Sequence, residues 1–161
     1  MIKLNIFKTF LLLAAIPLVV AYVGQYIFGL MPCKLCSYQR IPYIAIIIIC
    51  AQALWLRKLP IIFSYSLIFG CLLAGISLAA FHFGVEMGWV QHHSSCTFNH
   101  EGVNSFEQYK LMIESADLVS CDMPTPLFFG ISMVGWNLIY GLLITTCFVW
   151  LYKNKRSANH I

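Results

Sequence analysis

Apolar positions along this chain do not alternate; they run in long blocks separated by short polar gaps. Four blocks stand out, at residues 9–31, 36–56, 61–83 and 127–152. Each is close to the roughly 20 residues that cross a bilayer as a helix. The second reaches that length when the mildly polar turn Cys36–Arg40 opens the helix ahead of Ile41. Helix is the conformation such blocks must take, because hydrocarbon offers no partner to a free N–H or C=O. Strands of a barrel would show about ten residues of alternating character instead. The pattern predicts an all-α integral membrane protein, a single four-helix transmembrane domain over residues 1–161.

Composition agrees and closes off other classes. Of 161 residues, 60% are hydrophobic and only 10% charged, against about 25% charged in soluble domains. Disorder would need the opposite balance, low hydrophobicity with high charge. The net charge of +4 is no nucleic-acid signature, which requires Lys and Arg clustered on one face. Lys3 and Lys8 ahead of an apolar run resemble the start of a signal peptide. The run, however, outlasts an h-region of about 7–15 residues, and Val19-Val20-Ala21 makes a poor cleavage site. It is expected to stay as a span.

The sparse charges orient the chain. Lys3, Lys8, Arg57, Lys58, Lys153, Lys155 and Arg156 occupy segments that four spans place on one side, with no acidic residue among them. Lys34, Arg40 and Lys110 share the other side with Glu86, Glu101, Glu107, Glu114, Asp117 and Asp122. By the positive-inside rule both termini are expected in the cytoplasm. Two loops then face outward, at about 30–39 and 84–126. Within the longer one, Asn104 and Glu107 have the spacing of a helix N-cap and its N3 partner. Phe106, Tyr109, Ile113 and Ala116 follow on one face, which predicts a short amphipathic helix over the bundle's mouth or in the outer interface.

The seven cysteines divide by location. Cys50, Cys71 and Cys147 lie inside apolar blocks, where a free Cys behaves as a small hydrophobe. Cys33, Cys36, Cys96 and Cys121 fall in the outward segments, two in each. If that side is a bacterial periplasm, disulfides form and persist there. Four cysteines allow three pairings. The Cys33-x-x-Cys36 spacing is associated with redox-active bonds. Haem attachment would need His after the second Cys, and Ser37 stands there. Zinc held by the four loop cysteines, with His92, His93 and His100 nearby, lacks the second C-x-x-C of such sites. No metal is expected, and the three histidines are read as solvated.

Cys36 has the surroundings of a reactive thiol. It sits where an inward-running helix begins, and helix N-termini favour a nearby anion. Arg40 lies four residues on, on the same helical face. Both should lower the Cys36 pKa and populate the nucleophilic thiolate. An arginine just inside a membrane is by default functional, although an interfacial snorkelling anchor would have the same spacing.

Taken together, Cys33-Lys34-Leu35-Cys36-Ser37-Tyr38-Gln39-Arg40, Phe81-His82-Phe83-Gly84-Val85-Glu86, Ser95-Cys96, Ser120-Cys121-Asp122 and Phe129-Gly130-Ile131-Ser132-Met133-Val134-Gly135-Trp136-Asn137 are similar to segments of the DsbB quinone-dependent thiol oxidases of bacterial inner membranes. The likeness covers nearly the whole chain. It implies resting Cys33–Cys36 and Cys96–Cys121 disulfides and a transient Cys33–Cys121 bond. A reduced periplasmic DsbA-like dithiol would attack Cys96, and the freed Cys121 would engage Cys33. That would release Cys36 to pass two electrons to a membrane quinone, ubiquinone or menaquinone. The resemblance gives Arg40 the quinone-side role, and His82 either lines the quinone site or caps the surface. Trp136 could pack there too, or belong to the core.

Two other classes fit parts of the pattern. A four-span scaffold braced by loop disulfides accounts for Cys96 and Cys121, but not for a C-x-x-C one turn above Arg40. A vitamin K epoxide reductase-like enzyme would carry its loop cysteines before the C-x-x-C, and here they follow it.

Overall fold

A computed structural model describes residues 2–56, 60–90 and 127–158. It is a mostly helical bundle: α1 (Ile2–Tyr26), α2 (Lys34–Ala51), α3 (Ile61–Glu86) and α4 (Met133–Ala158). Helix α2 widens into a π-turn at Gln52–Leu56. Four stretches, Ile6–Tyr26, Lys34–Leu56, Ile61–Glu86 and Met133–Asn154, are long and apolar enough to cross a membrane. The expected four-helix membrane bundle is what forms.

Its ends differ from the sequence expectation for local reasons. Helix α1 starts ahead of residue 9 and stops at Tyr26 rather than 31, where Gly29 takes φ +67° and Pro32 follows. Cys33 is the N-cap of α2, so the first connection is 27–33 and Cys36 lies in the first helical turn. Helix α3 continues past 83 to Glu86. Gly88, at φ +73°, then lets Trp89 and Val90 donate back to the Gly84 carbonyl, a glycine-terminated helix end.

The largest departure is at the fourth block. Residues 127–132 are not helix but a small hairpin, β1 (Leu127–Phe128) and β2 (Ile131–Ser132), paired antiparallel with Phe128 opposite Ile131. Phe129 (φ +55°) and Gly130 (φ +78°) make its turn. Two positive-φ residues match the right-handed twist of a two-residue hairpin. The Ser132 hydroxyl then accepts from the Gly135 N–H at 3.1 Å and caps α4, as an N-cap serine does for the N3 amide.

The core brings together the N-terminal halves of α1 and α3 with the C-terminal halves of α2 and α4. Phe7, Phe10, Ile46, Cys50, Tyr65, Ile68, Leu72, Ile144 and Phe148 are buried in one cluster. Its rings stack or meet edge-on, as Phe7 with Tyr65 and Phe10 with Phe148 do. Neighbouring helices therefore run in opposite directions. Outward faces carry Leu12, Val19, Ile48, Ile62, Leu143 and Trp150, side chains at home in lipid. Pro17 and Pro42 lie inside α1 and α2, as membrane helices tolerate. Pro42 is buried where Gly75 of α3 comes close; a Cβ there would stand 3.5 Å from the ring. That leaves the opposite end of the bundle, where α2 begins and α3 ends, to hold a second small cluster of Cys33, Leu35 and Val85.

A thiol pair beside an apolar cavity

Cys33 and Cys36 meet because of how α2 starts. With Cys33 at the N-cap, its Sγ accepts from the Cys36 backbone N–H at 3.3 Å, and the two sulfurs lie 3.0 Å apart. A disulfide is about 2.05 Å, so oxidation needs only a small approach of the sulfurs. The helix N-terminus expected to act on Cys36 therefore acts on Cys33 as well. Cys33 is 3% exposed, and Cys36 is partly exposed. The hydrogen bond to Cys36 and burial push the Cys33 thiol from 9.0 up to about 12, with His82 pulling the other way.

His82 of α3 is buried, and its two ring nitrogens are both engaged. Nε2 lies 3.6 Å from Cys33 Sγ, and Nδ1 lies 2.9 Å from Gln39 Nε2. Behind Gln39, its Oε1 accepts from Asn137 Nδ2 at 2.8 Å, and Asn137 Oδ1 accepts from the Tyr43 hydroxyl at 2.9 Å. The nearest ligand-type atoms of Cys33, Cys36 and His82 fall within 4.8 Å of one another. The sequence placed His82 on the quinone side; the geometry sets it against Cys33.

On the other flank of Cys36 lies a cavity of about 500 Å³ between α1, α2 and α4. Pro17, Val20, Ala21 and Leu30 give it apolar walls, and Cys36, Arg40, Gln39 and Asn137 supply polar atoms. That mixture, mostly apolar with a few placed polar groups, is typical of small-molecule sites of about 300–1,000 Å³. Arg40 reaches back to α1, where its Nη1 donates to Gln25 Oε1 at 2.9 Å. Its guanidinium sits over the Tyr22 ring, 4.9 Å from the centroid. Trp136 is 41% exposed and lines the same cavity rather than the core, with its indole N–H on the Phe128 carbonyl. Cys96, Cys121, His92, His93, His100 and the amphipathic stretch from Asn104 lie outside the described residues.

A family model described as Disulfide bond formation protein DsbB matches residues 4–151. The chain belongs to the DsbB family. Membership makes it a multi-pass membrane protein of disulfide bond formation with thiol-oxidase chemistry, as the resemblance implied. A protein of Rickettsia prowazekii (strain Madrid E), described as uncharacterized protein RP370, is 34% identical over 135 residues, covering 82% of this chain and 77% of its own. No solved structure matches.

The sequence pointed to Cys33, Cys36, Arg40 and His82, and the fold gathers all four at one end of the bundle. What it missed were the amides around them: Gln25, Gln39 and Asn137. A signal was present. Uncharged polar side chains inside apolar spans are costly unless hydrogen-bonded, so each implied a partner from another helix.

Proposed function

We propose that this DsbB-family protein oxidises a periplasmic DsbA-like dithiol and passes the two electrons to a membrane quinone. One observation carries the reading: Cys36 belongs to a closely spaced thiol pair and also lines an apolar cavity shared with Arg40. A flat, largely apolar quinone head suits that cavity, held by Arg40, Gln39 and Asn137, and supplies a sink for two electrons and two protons. The tail would leave between helices whose outer faces are themselves apolar.

The chain's own residues supply the rest. The reduced partner attacks the Cys96–Cys121 disulfide at Cys96, forming a mixed disulfide and freeing the Cys121 thiolate. Cys121 attacks Cys33 of the Cys33–Cys36 bond, and Cys36 leaves as the thiolate facing the cavity. A second partner thiolate resolves the Cys96 mixed disulfide, and the Cys96 thiolate so released attacks Cys121, restoring Cys96–Cys121 and freeing Cys33. When Cys33–Cys36 then reforms from its two thiols, that pair has given up two electrons and two protons. The fixed charge of Arg40 stabilises anionic sulfur and oxygen beside it, as a preorganised group does without reorganising. The outward loops would face the periplasm of a bacterial inner membrane, and both termini the cytoplasm, with Lys and Arg on the inner side.

Anaerobic mixing of the full chain in lipid with a reduced DsbA-like dithiol and a soluble quinone tests this. One quinol should form per dithiol oxidised. Cys33→Ser and Cys36→Ser should abolish the reaction. Normal turnover in Cys36→Ser would overturn the mechanism, whereas unaltered activity in Cys96→Ser would remove only the loop relay.

A further inference from the structure

The amides buried between α2, α3 and α4 form a ladder with one direction. An amide nitrogen can only donate and an amide oxygen can only accept, so the orientation of each amide sets the direction of the ladder. The Tyr43 hydroxyl donates to Asn137 Oδ1, which leaves Asn137 Nδ2 to donate to Gln39 Oε1. Gln39 Nε2 is then left to donate to His82 Nδ1 at 2.9 Å. Nδ1 must therefore be the bare nitrogen, and the ring proton must sit on Nε2, the atom 3.6 Å from Cys33 Sγ. A second proton on Nδ1 would set N–H against N–H, so the ladder also opposes the imidazolium.

We propose that Gln39 is a positioning residue, which with Asn137 and Tyr43 behind it sets the tautomer of His82 and aims its Nε2–H at Cys33. His82 is then a fixed donor to Cys33 sulfur rather than a base or a metal ligand. Its facing nitrogen has no lone pair for a proton or an ion. The proton of the Cys33 thiol has Cys36 Sγ, 3.0 Å away, as its near acceptor. The donor steadies negative charge on Cys33 whenever Cys33 acts as nucleophile or leaving group.

Among the described residues, the charged and titratable groups near His82 are few. On α2 the titratable or charged neighbours are Cys33, Cys36, Tyr43 and Arg40, the last engaged with Gln25 and Tyr22. On α3 Glu86 lies one turn on and accepts from Ser132 of the hairpin. From α4 the ladder receives Asn137, an amide that does not titrate.

The purpose of this arrangement rests on the oxidase reading, but its test does not need quinone or partner. The full chain would be labelled with ¹⁵N-histidine, placed in lipid nanodiscs and reduced, with the His82 signals identified by their loss in His82→Asn. In wild type the neutral ring should carry its proton on Nε2. Gln39→Glu should move that proton to Nδ1, facing the carboxylate. Tyr43→Phe, which removes the polarising hydroxyl, should give both tautomers. Alkylation of Cys33 in a Cys36→Ser background, read by mass spectrometry of its peptide, should be slowed about fivefold to tenfold by His82→Phe through the lost thiolate donor.

A wild-type neutral ring protonated on Nδ1 would overturn the proposal. So would a Gln39→Glu variant with the wild-type tautomer. Should Gln39→Glu fail to fold, the wild-type spectrum and Tyr43→Phe still decide. Absence of quinone turnover in wild type would sink the oxidase reading alone and leave the tautomer standing.

Discussion

Arg40 of α2 is tied to Gln25 of α1 by a 2.9 Å hydrogen bond across the mouth of the cavity. The sequence presented Arg40 as an isolated intramembrane charge; the fold gives it an amide acceptor and the face of Tyr22. An arginine so held is a fixed charge, which is worth more to a reaction than a mobile one. Arg40→Ala should cut quinone reduction at least about tenfold, the effect of removing a single preorganised donor being often larger. Gln25→Ala should leave the charge in place but unanchored, raising the quinone KM several-fold with a smaller change in kcat. Steady-state kinetics with a soluble quinone in lipid-embedded protein separate the two.

The thiols should differ sharply toward an alkylating reagent. Cys33 is buried, and its pKa is pushed up from 9.0 to about 12 by the contact with Cys36 and by desolvation. Because the folded state holds that proton more tightly than the unfolded chain, its contribution to stability is complete below pH 9 and is lost as pH rises toward about 12. In the reduced wild-type chain, iodoacetamide at pH 8 should therefore label Cys36 well before Cys33. The unfolding temperature of the reduced protein should fall between pH 9 and 12 more than that of Cys33→Ser.

Ser132 serves two elements at once. Its oxygen caps α4 at the Gly135 amide, and its proton goes to Glu86 Oε2 at 2.6 Å, tying the hairpin to the end of α3. Ser132→Ala should destabilise the protein by about 1–2 kcal/mol, the usual cost of a lost cap together with a hydrogen bond to a charged group. Thermal unfolding in detergent, compared with Ser77→Ala on the exposed face of α3, measures the excess.

Gly135 has no room for a side chain. A Cβ there would stand 2.8 Å from Ile131 Cγ2 and 3.5 Å from Phe83, so the hairpin would have to lift from the bundle. Gly135→Val should cost about 1–3 kcal/mol by overpacking. Ile131→Ala in the same chain should recover part of the loss, which a double-mutant cycle of unfolding temperatures would show.

Much of this architecture was already present in the order of residues. Four apolar blocks dictate four helices, because lipid leaves the backbone no other partner. The C-x-x-C spacing put two sulfurs within a turn of each other, and Arg40 stood out because charge is so scarce. Local conformation escaped the apolar pattern at residues 127–132. Leu127, Phe128, Phe129 and Ile131 are as greasy as any membrane helix, and only the positive φ of Phe129 and Gly130 together with the Ser132 cap reveal a hairpin. Gly130 and Ser132 were legible in the sequence as a turn former and a helix cap, but hydrophobicity outweighed them, and the positive φ of Phe129 was not legible at all.

What no reading of the chain could supply is which polar atoms meet. His82, Gln39, Asn137 and Tyr43 come from three helices, with up to 98 positions between partners, and nothing in the local sequence couples them. Their order is set by helix packing: Gly75 admits Pro42, α2 and α3 close, and the buried amides must then satisfy one another because neither lipid nor water is available. The sequence by itself determined a four-span thiol protein with one unusual arginine. Only the tertiary structure decided that Cys36 faces a cavity and Cys33 a histidine.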